Sequence, residues 1–563
     1  MIRLNFLTLF ACIALSFAHV SSADDFIIGG WAGPLMSGNA NDKTAITSFK
    51  NEGFNAIIRT MHNLAIGRVF FTTSALTPSF PTTKPPGSIS GVNWPTDLLY
   101  NITPSATNEY RLSILDQVGG VKMMVEDRQV IGYDPCESDA NCQTRQEYIA
   151  SAYKTYSNHR TKMLGYFIGD EPNSDNQITG YLSKVNYLAN KDNNVPGYFN
   201  LAANGGRSWG SSINGLQSYQ SYVQQCINNS NVKYVSFDFY VFHNSFSCDI
   251  NGNPTIPINT QNENYNINTD NRGIFNCLNL FSSSIKNNGY NKNFWFIGCA
   301  SEGEVWVRTD FRIAHIIKPE EKHLRYFASS ALIYGAKGLL WYIYSLANCN
   351  TVFKQADLNA AWATLPPTNY EVYLNAPETD ATTKGLITTL NNEVQKMGPI
   401  LMTLRWQRTV HGNAIDPSTG EQFLDVIDAN AKPLYSLSAG TGASSKWSKD
   451  SLAIGLFKDS NWDYLLIMNK SVYKISSGSV GANNVLPNGT WGGNANITKY
   501  TVFGKVYPRQ FDKKNGGWKK LTPTYNSANN TTSFELTINP GDMQMVVLGP
   551  ANITPAINLL LNN

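Results

Sequence analysis

Eight short apolar runs between residues 26 and 345 alternate with stretches of helical periodicity, and few architectures accommodate that order. The runs are FIIGGW (26–31), NAIIRT (55–60), VKMMVE (121–126), LGYFIG (164–169), GYFNLA (197–202), YVSFDFYVF (234–242), FWFIGCA (294–300) and GLLWYIYS (338–345). Helix-like segments such as NDKTAITSFKNEG, TNEYRLSILDQVG, QTRQEYIASAYKTYSNH and IFNCLNLFSSSIKNNG separate them, and LITTLNNEVQKMGPIL follows the eighth. A half-exposed strand alternates apolar and polar residues, whereas a strand covered on both faces reads as a continuous apolar run. These runs are of the second kind. Repeated strand-then-helix order with both faces buried predicts an α/β fold, a (β/α)8 TIM barrel. A doubly wound open sheet is the competing arrangement, but no Gly-rich phosphate loop follows the first run in the expected form.

Past about residue 403 the texture changes. Segments such as LAIGLFK, YLLIMNKSVYKI, KYTVFGKVY and SFELTI, punctuated by NG, GG and PG turns, predict a smaller all-β antiparallel sandwich, with NPGDMQMVVLG as its last strand. The expected organisation is a barrel over 24–402, a sandwich over 403–551 and a tail over 552–563. Residues 77–108, with few periodic apolar positions, read as a loop on the barrel.

Residues 1–23 place Arg3 ahead of an apolar run and end with Ser21 and Ala23 suitably placed for cleavage, which is the build of a signal peptide. No later run reaches the ~18 to 20 apolar residues of a spanning helix, and INLLLNN is too short for a lipid-anchor signal. The expectation is a secreted or extracellular, or lumenal or lysosomal, chain without membrane insertion. Sequons at Asn101, Asn228, Asn469, Asn488, Asn496, Asn529, Asn530 and Asn552 fit a glycoprotein.

Charged residues make up 15% of the chain, against ~25% in an average globular protein, and the net charge is +3. Neither a nucleic acid nor a membrane face is the natural partner of such a surface. With 28 Tyr and 12 Trp, it suits something flat and weakly polar. Of eight Cys, Cys12 leaves with the signal peptide. Cys136 and Cys142 could close a short disulfide loop; pairings among Cys226, Cys248, Cys277, Cys299 and Cys349 stay open, and one thiol must remain free. No CxxC or HxxxH spacing occurs, so no metal and no cofactor is expected. A P-loop and a GxSxG elbow are missing too.

Barrels of this kind place their chemistry at the carboxyl ends of the strands. Asp170 and Glu171 close the fourth run, where a neighbouring carboxylate and aromatic walls would disfavour ionisation and let Glu171 hold a proton as a general acid. The same Asp-Glu-Pro could simply cap a following helix. A second acid is needed for two-carboxylate chemistry. Glu302 and Glu304 follow the seventh run, with Glu302 the better placed, either acid being also readable as an exposed loop residue. Glu126 and Asp127 after the third run and Asp238 inside the sixth are rivals; an acid in so apolar a run is functional or paired, with an arginine for example. Trp31, Tyr240, Trp341, Tyr342 and Tyr344 could offer ring faces, though most aromatics in such runs are core. Asn200, Asn204, Arg59 and His62 could hydrogen-bond hydroxyls.

LGYFIGDEPN, the FIIGGWAGP opening, SFDFYVF and HLRYFASSALIYGAKGLLWYIYS together resemble the (β/α)8-barrel glycoside hydrolases of the β-galactosidase and cellulase-like superfamily, with a C-terminal β-sandwich. The resemblance spans roughly residues 26–405. It implies a secreted glycosidase cleaving O-glycosidic bonds of a poly- or oligosaccharide without cofactor, retention being favoured over inversion. Glu171 matches that superfamily's acid/base position after strand four, with Asp170 where Asn is usual, and Glu302 matches the strand-seven nucleophile by a slip of register. Trp31, Asp170, Asn200, Asp238, Tyr240, Trp341 and Tyr344 would line the substrate cleft. The alternative is a carbohydrate-binding or extracellular matrix protein that keeps the barrel without its chemistry.

Overall fold

The computed structural model describes residues 25–34, 36, 40–59, 103–126, 154, 157–172, 175–203, 219–240, 243–248, 254–257, 274–307, 312–316, 318–345, 369–411, 435–439, 452–470 and 496–549. Residues 1–23, the stretch expected as a signal peptide, and His62, Asp127, Cys136, Cys142, Asn204 and Cys349 lie outside these. Each of the eight runs falls on one strand of a parallel sheet: β1 (Ile27–Trp31), β2 (Ala56–Ile57), β3 (Lys122–Glu126), β4 (Met163–Asp170), β5 (Gly197–Asn200), β6 (Tyr234–Asp238), β7 (Asn293–Cys299) and β8 (Gly338–Tyr342). Their order around the sheet is β5-β4-β3-β2-β1-β8-β7-β6. A parallel bridge between Leu201 and Phe237 joins its two edges, so the sheet is a closed (β/α)8 barrel.

The runs are apolar throughout because each strand serves two cores. Alternate residues, among them Ile27, Leu164, Phe167, Tyr198, Trp295 and Leu340, fill the barrel, where Tyr234 stacks on Trp295 at 4.1 Å. Their neighbours meet the surrounding helices. Those described are α1 (Asp42–Asn51), α2 (Thr103–Val118), α3 (Asp175–Lys191), α4 (Tyr219–Asn228), α5 (Ile274–Asn287), α6 (Glu321–Ile333) and α7 (Ala381–Thr403). Asp380 starts α7 by accepting the Thr383 backbone N–H at 3.0 Å, and Glu320 forms a reciprocal cap with His323 at the start of α6. The helix α2 begins at Thr103, inside the stretch expected as loop.

One layer is not foreseen by the sequence reading. Segments after β6 (His243–Cys248 and Pro254–Pro257), β7 (Glu302–Val307 and Arg312–Ile316) and β8 (Asn369–Asn375) form a five-stranded antiparallel sheet. All three depart from carboxyl ends of barrel strands, so the sheet rises from one side of the barrel mouth. The sixth run accordingly ends as a barrel strand at Asp238.

Beyond α7, a six-stranded and a four-stranded antiparallel sheet form the sandwich. Ile454, Leu456, Leu465 and Ile467 of the larger sheet face Tyr500, Val502, Phe534 and Leu536 of the smaller. Arg325 of α6 ties the two parts together, reaching Glu393 of α7 at 2.7 Å and Asp542 of the sandwich at 3.3 Å. A Cβ on Gly455 would collide with the carbonyl oxygen of Ile333, so glycine lets a sandwich strand press against the end of α6.

Of the cysteines whose pairing the sequence leaves open, Cys226, Cys277 and Cys299 are buried thiols that form no disulfide. Asn469 is also buried, donating its side-chain amide to the Ile538 carbonyl, so its sequon is closed to modification in the folded chain. No described helix is long and apolar enough to cross a membrane.

Candidate active site

Three neighbouring strands end in polar residues at the barrel mouth. Asp170 of β4 pairs in register with Asn200 of β5, and Leu201 bridges to Phe237 of β6, which brings Asn200 beside Asp238. The Asn200 side chain is 1% exposed and fully engaged. Its Oδ1 accepts from Ser236 Oγ at 2.8 Å, and Ser236 in turn meets the Tyr198 hydroxyl at 2.7 Å. Its Nδ2 donates to Asp170 Oδ1 at 3.2 Å and Asp238 Oδ1 at 2.8 Å. One amide therefore orients two carboxyl groups.

Glu171 follows directly, with φ of +43°. This left-handed conformation is strained for a side chain with a Cβ, by about 1 kcal/mol or more. The Glu171 N–H donates to the Asn200 carbonyl at 2.9 Å, and the next residue, Pro172, is buried. The bend delivers the Glu171 carboxyl to Asp238, with which it is hydrogen-bonded. Two carboxyl groups can hydrogen-bond only if one carries a proton, so this contact favours the form of the pair that keeps one proton. Enclosure raises the Asp238 pKa above the ordinary carboxylate value, while hydrogen bonds from Asn200, Glu171 and Tyr240 partly oppose the rise.

Arg59, two residues past β2, stands against the other acids. Its Nη2 is 3.0 Å from Glu126 Oε1 and its Nη1 is 3.7 Å from Asp170 Oδ2. The guanidinium lies 4.7 Å from the Phe167 ring centroid and 6.0 Å from that of Trp31. Burial disfavours its charge, but Glu126 and Asp170 more than compensate and raise its pKa. Arg59 thus compensates Glu126 and Asp170, while Asp238 is set against Glu171, Asn200 and Tyr240.

Glu302 lies three residues past the end of β7 and opens a strand of the mouth sheet (Glu302–Val307), so it is neither on the barrel strand nor in a loop. Asn375 of the adjoining strand donates to its Oε2. Ser301, just before it, accepts the Ile343 N–H at 3.3 Å, which fixes this corner to the end of β8. β4 and β7 are three strands apart around the ring, so Glu171 and Glu302 approach the mouth from separate sectors.

Tyr240 and Tyr342, both partly exposed, stack with centroids 5.3 Å apart beside Asp238. Trp341 and Tyr344 are corrected: each is 1% exposed and faces the helical shell. Trp341 neighbours Tyr342 on a strand whose side chains alternate, and its Nε1 donates to Asn391 of α7 at 2.9 Å. Tyr344 lies past β8 and packs edge-on to Phe49 and Phe54. Trp31 does point into the barrel, but it is 2% exposed, with its ring against Phe167, and offers no open face. Asp238 meets Asn200, Glu171 and Tyr240 rather than an arginine. Glu126 is held by Arg59, and only the backbone of Glu304 is described. Sequence reasoning missed Ser236 and Tyr198. Two-residue periodicity could have found them, since Ser236, Asp238 and Tyr240 share one strand face, as do Tyr198 and Asn200.

No family model and no curated protein matches this sequence. Solved structures similar to it include a glycoside hydrolase at 11% identity and a TM-score of 0.47, covering 94% of this chain and 93% of that one. A GH27 β-L-arabinopyranosidase from Geobacillus stearothermophilus follows at 9% identity and a TM-score of 0.43, covering 95% and 98%. A β-galactosidase from Bacillus circulans sp. alkalophilus has 8% identity and a TM-score of 0.44, covering 94% and 100%.

Proposed function

We propose that this chain is a secreted hydrolase of O-glycosidic bonds in a poly- or oligosaccharide. The observation that carries the reading is the hydrogen-bonded pair of carboxyl groups, Glu171 and Asp238, at the carboxyl ends of the barrel strands. Glycoside cleavage requires a carboxylic acid that is still protonated when it meets the leaving oxygen. Glu171 is that acid. Asp238 is its proton-sharing partner, because a hydrogen-bonded pair is closer than the ~5–5.5 Å of retaining or ~6.5–9.5 Å of inverting carboxyl pairs.

The second acid then comes from elsewhere on the rim, and Glu302 is assigned to it. Held by Asn375, it attacks the anomeric carbon, and water resolves the intermediate with retention. The Tyr240–Tyr342 stack supplies an apolar face for a sugar ring.

The test is turnover of a panel of aryl glycosides by wild type, Glu171→Gln and Glu302→Ala, with azide added to the last. Wild-type turnover lost in Glu171→Gln, with a glycosyl azide formed by Glu302→Ala, supports both assignments. Turnover that survives Glu171→Gln removes the acid assignment. A chain that binds a glycan array and hydrolyses nothing is a carbohydrate-binding protein instead.

A further inference from the structure

A cavity of about 370 Å³ opens at the other end of the barrel, among the amino ends of β7 and β8, the carboxyl end of α7 and the first residues of the sandwich. Tyr290, Lys292, Lys337, Thr403, Arg405 and Trp406 are among its walls, and among the described residues no acidic side chain lines it. Three cations around one polar hollow without a carboxylate is an unbalanced arrangement, and their bonding shows what is missing.

Lys292 is saturated: its ammonium reaches the carbonyls of Asn229 at 2.7 Å, Ser230 at 3.5 Å and Val232 at 2.6 Å. Lys337 is not. It donates to the carbonyls of Leu401 and Leu404, which use two of an ammonium's three protons. Arg405 lies with its guanidinium 5.7 Å from the Tyr290 ring centroid, and among the described residues no carboxylate or carbonyl accepts its N–H groups. Tyr290 is presented to the cavity from a left-handed turn (φ +62°) after α5, anchored by its hydroxyl on the Trp406 carbonyl at 2.7 Å.

We propose that this cavity binds a small oxyanion, the phosphate or carboxylate group of a soluble metabolite, between Lys337 and Arg405. An oxyanion accepts the third Lys337 proton and the forked Arg405 donors together, and Lys292 adds charge. The site joins barrel to sandwich and is separate from the carboxyl groups at the mouth. Burial pushes the Lys337 pKa down to about 7, so an unliganded Lys337 loses its surplus proton near neutrality and an anion restores it. The titratable groups facing it are Lys292, Arg405, Tyr290 and Tyr334.

The experiment is thermal unfolding of the full chain in sodium phosphate, in sodium acetate and in sodium chloride of equal ionic strength. Phosphate or acetate should raise Tm by a few degrees over chloride, more strongly a pH unit below the Lys337 value than a unit above it. Arg405→Gln, an exposed change that leaves the helix carbonyls capped, should weaken the anion about tenfold or more, while Glu171→Gln should keep the full rise. Lys337→Gln should abolish it. Response to phosphate alone identifies a phosphate group; response to both salts admits a carboxylate. No rise over chloride, or an equal rise in Arg405→Gln and Lys337→Gln, overturns the proposal.

Discussion

The carboxyl groups of Glu171 and Asp238 are hydrogen-bonded across the ends of β4 and β6, and Asn200 on the strand between them holds Asp238 in place at 2.8 Å. Such a contact needs one proton between two acids, so it favours the raised Asp238 pKa and is expected to break as pH rises.

Replacing Asp238 by Asn removes the neighbouring negative charge while keeping the shape. Glu171 then ionises more readily, so the basic limb of kcat/KM should move to lower pH by about one unit. A carboxyl whose folded pKa is raised stabilises fully below its unfolded value of about 4 and loses that contribution as pH climbs through the folded value. Asp238→Asn should therefore also flatten the fall of stability on the alkaline side of that window. An unmoved basic limb would mean that Asp238 does not tune the acid.

Arg59→Met leaves Glu126 and Asp170 facing each other at the mouth without their cation. A loss of about 3–5 kcal/mol in urea unfolding is expected, as for one partner removed from a buried ion pair. Arg59→Lys should recover only part, because an ammonium cannot reproduce the fork toward Glu126.

Trp341→Phe tests whether that ring is structural. The change orphans Asn391 Oδ1 inside the protein and should cost about 1–3 kcal/mol in stability while leaving KM unaltered. Tyr240→Ala should do the reverse, raising KM with a smaller effect on Tm, since its ring is half-exposed beside the acids. Equal KM effects from the two variants would contradict the sidedness of β8.

Gly455→Ala places a methyl group against the Ile333 carbonyl and should destabilise by about 1–3 kcal/mol. Scanning calorimetry should still show one transition, at lower temperature.

Much of this was legible from strand and helix period. All eight barrel strands coincide with the apolar runs to within a residue or a few at each end, because burial on two sides leaves a continuous signature, and the acids at 170 and 171 could be placed at the mouth for the same reason; Asp238 read as the middle of a longer strand, and only the early end of β6 puts it at the rim. Ring faces were not legible. Trp31, Trp341 and Tyr344 are equally aromatic in sequence, and the difference between cleft, barrel interior and helical shell depends on alternation and on where β8 stops. The mouth sheet was hidden because its strands are scattered among three separate loops, and only their pairing in space gives them a common identity. Arg59 reads in sequence as one polar residue after a short strand; its ion pairs depend on the closure of the ring.

The contact between Gly455 and Ile333 bears on any attempt to dissect this protein. Leu332, Phe457, Leu466, Met468 and Met543 belong to one continuous apolar cluster with the barrel's outer shell. A fragment trimmed at the end of α7 would carry a raw greasy scar across its flank, and would be expected to precipitate before it could be assayed. The C-terminal module is better regarded as the missing half of a wall than as a passenger.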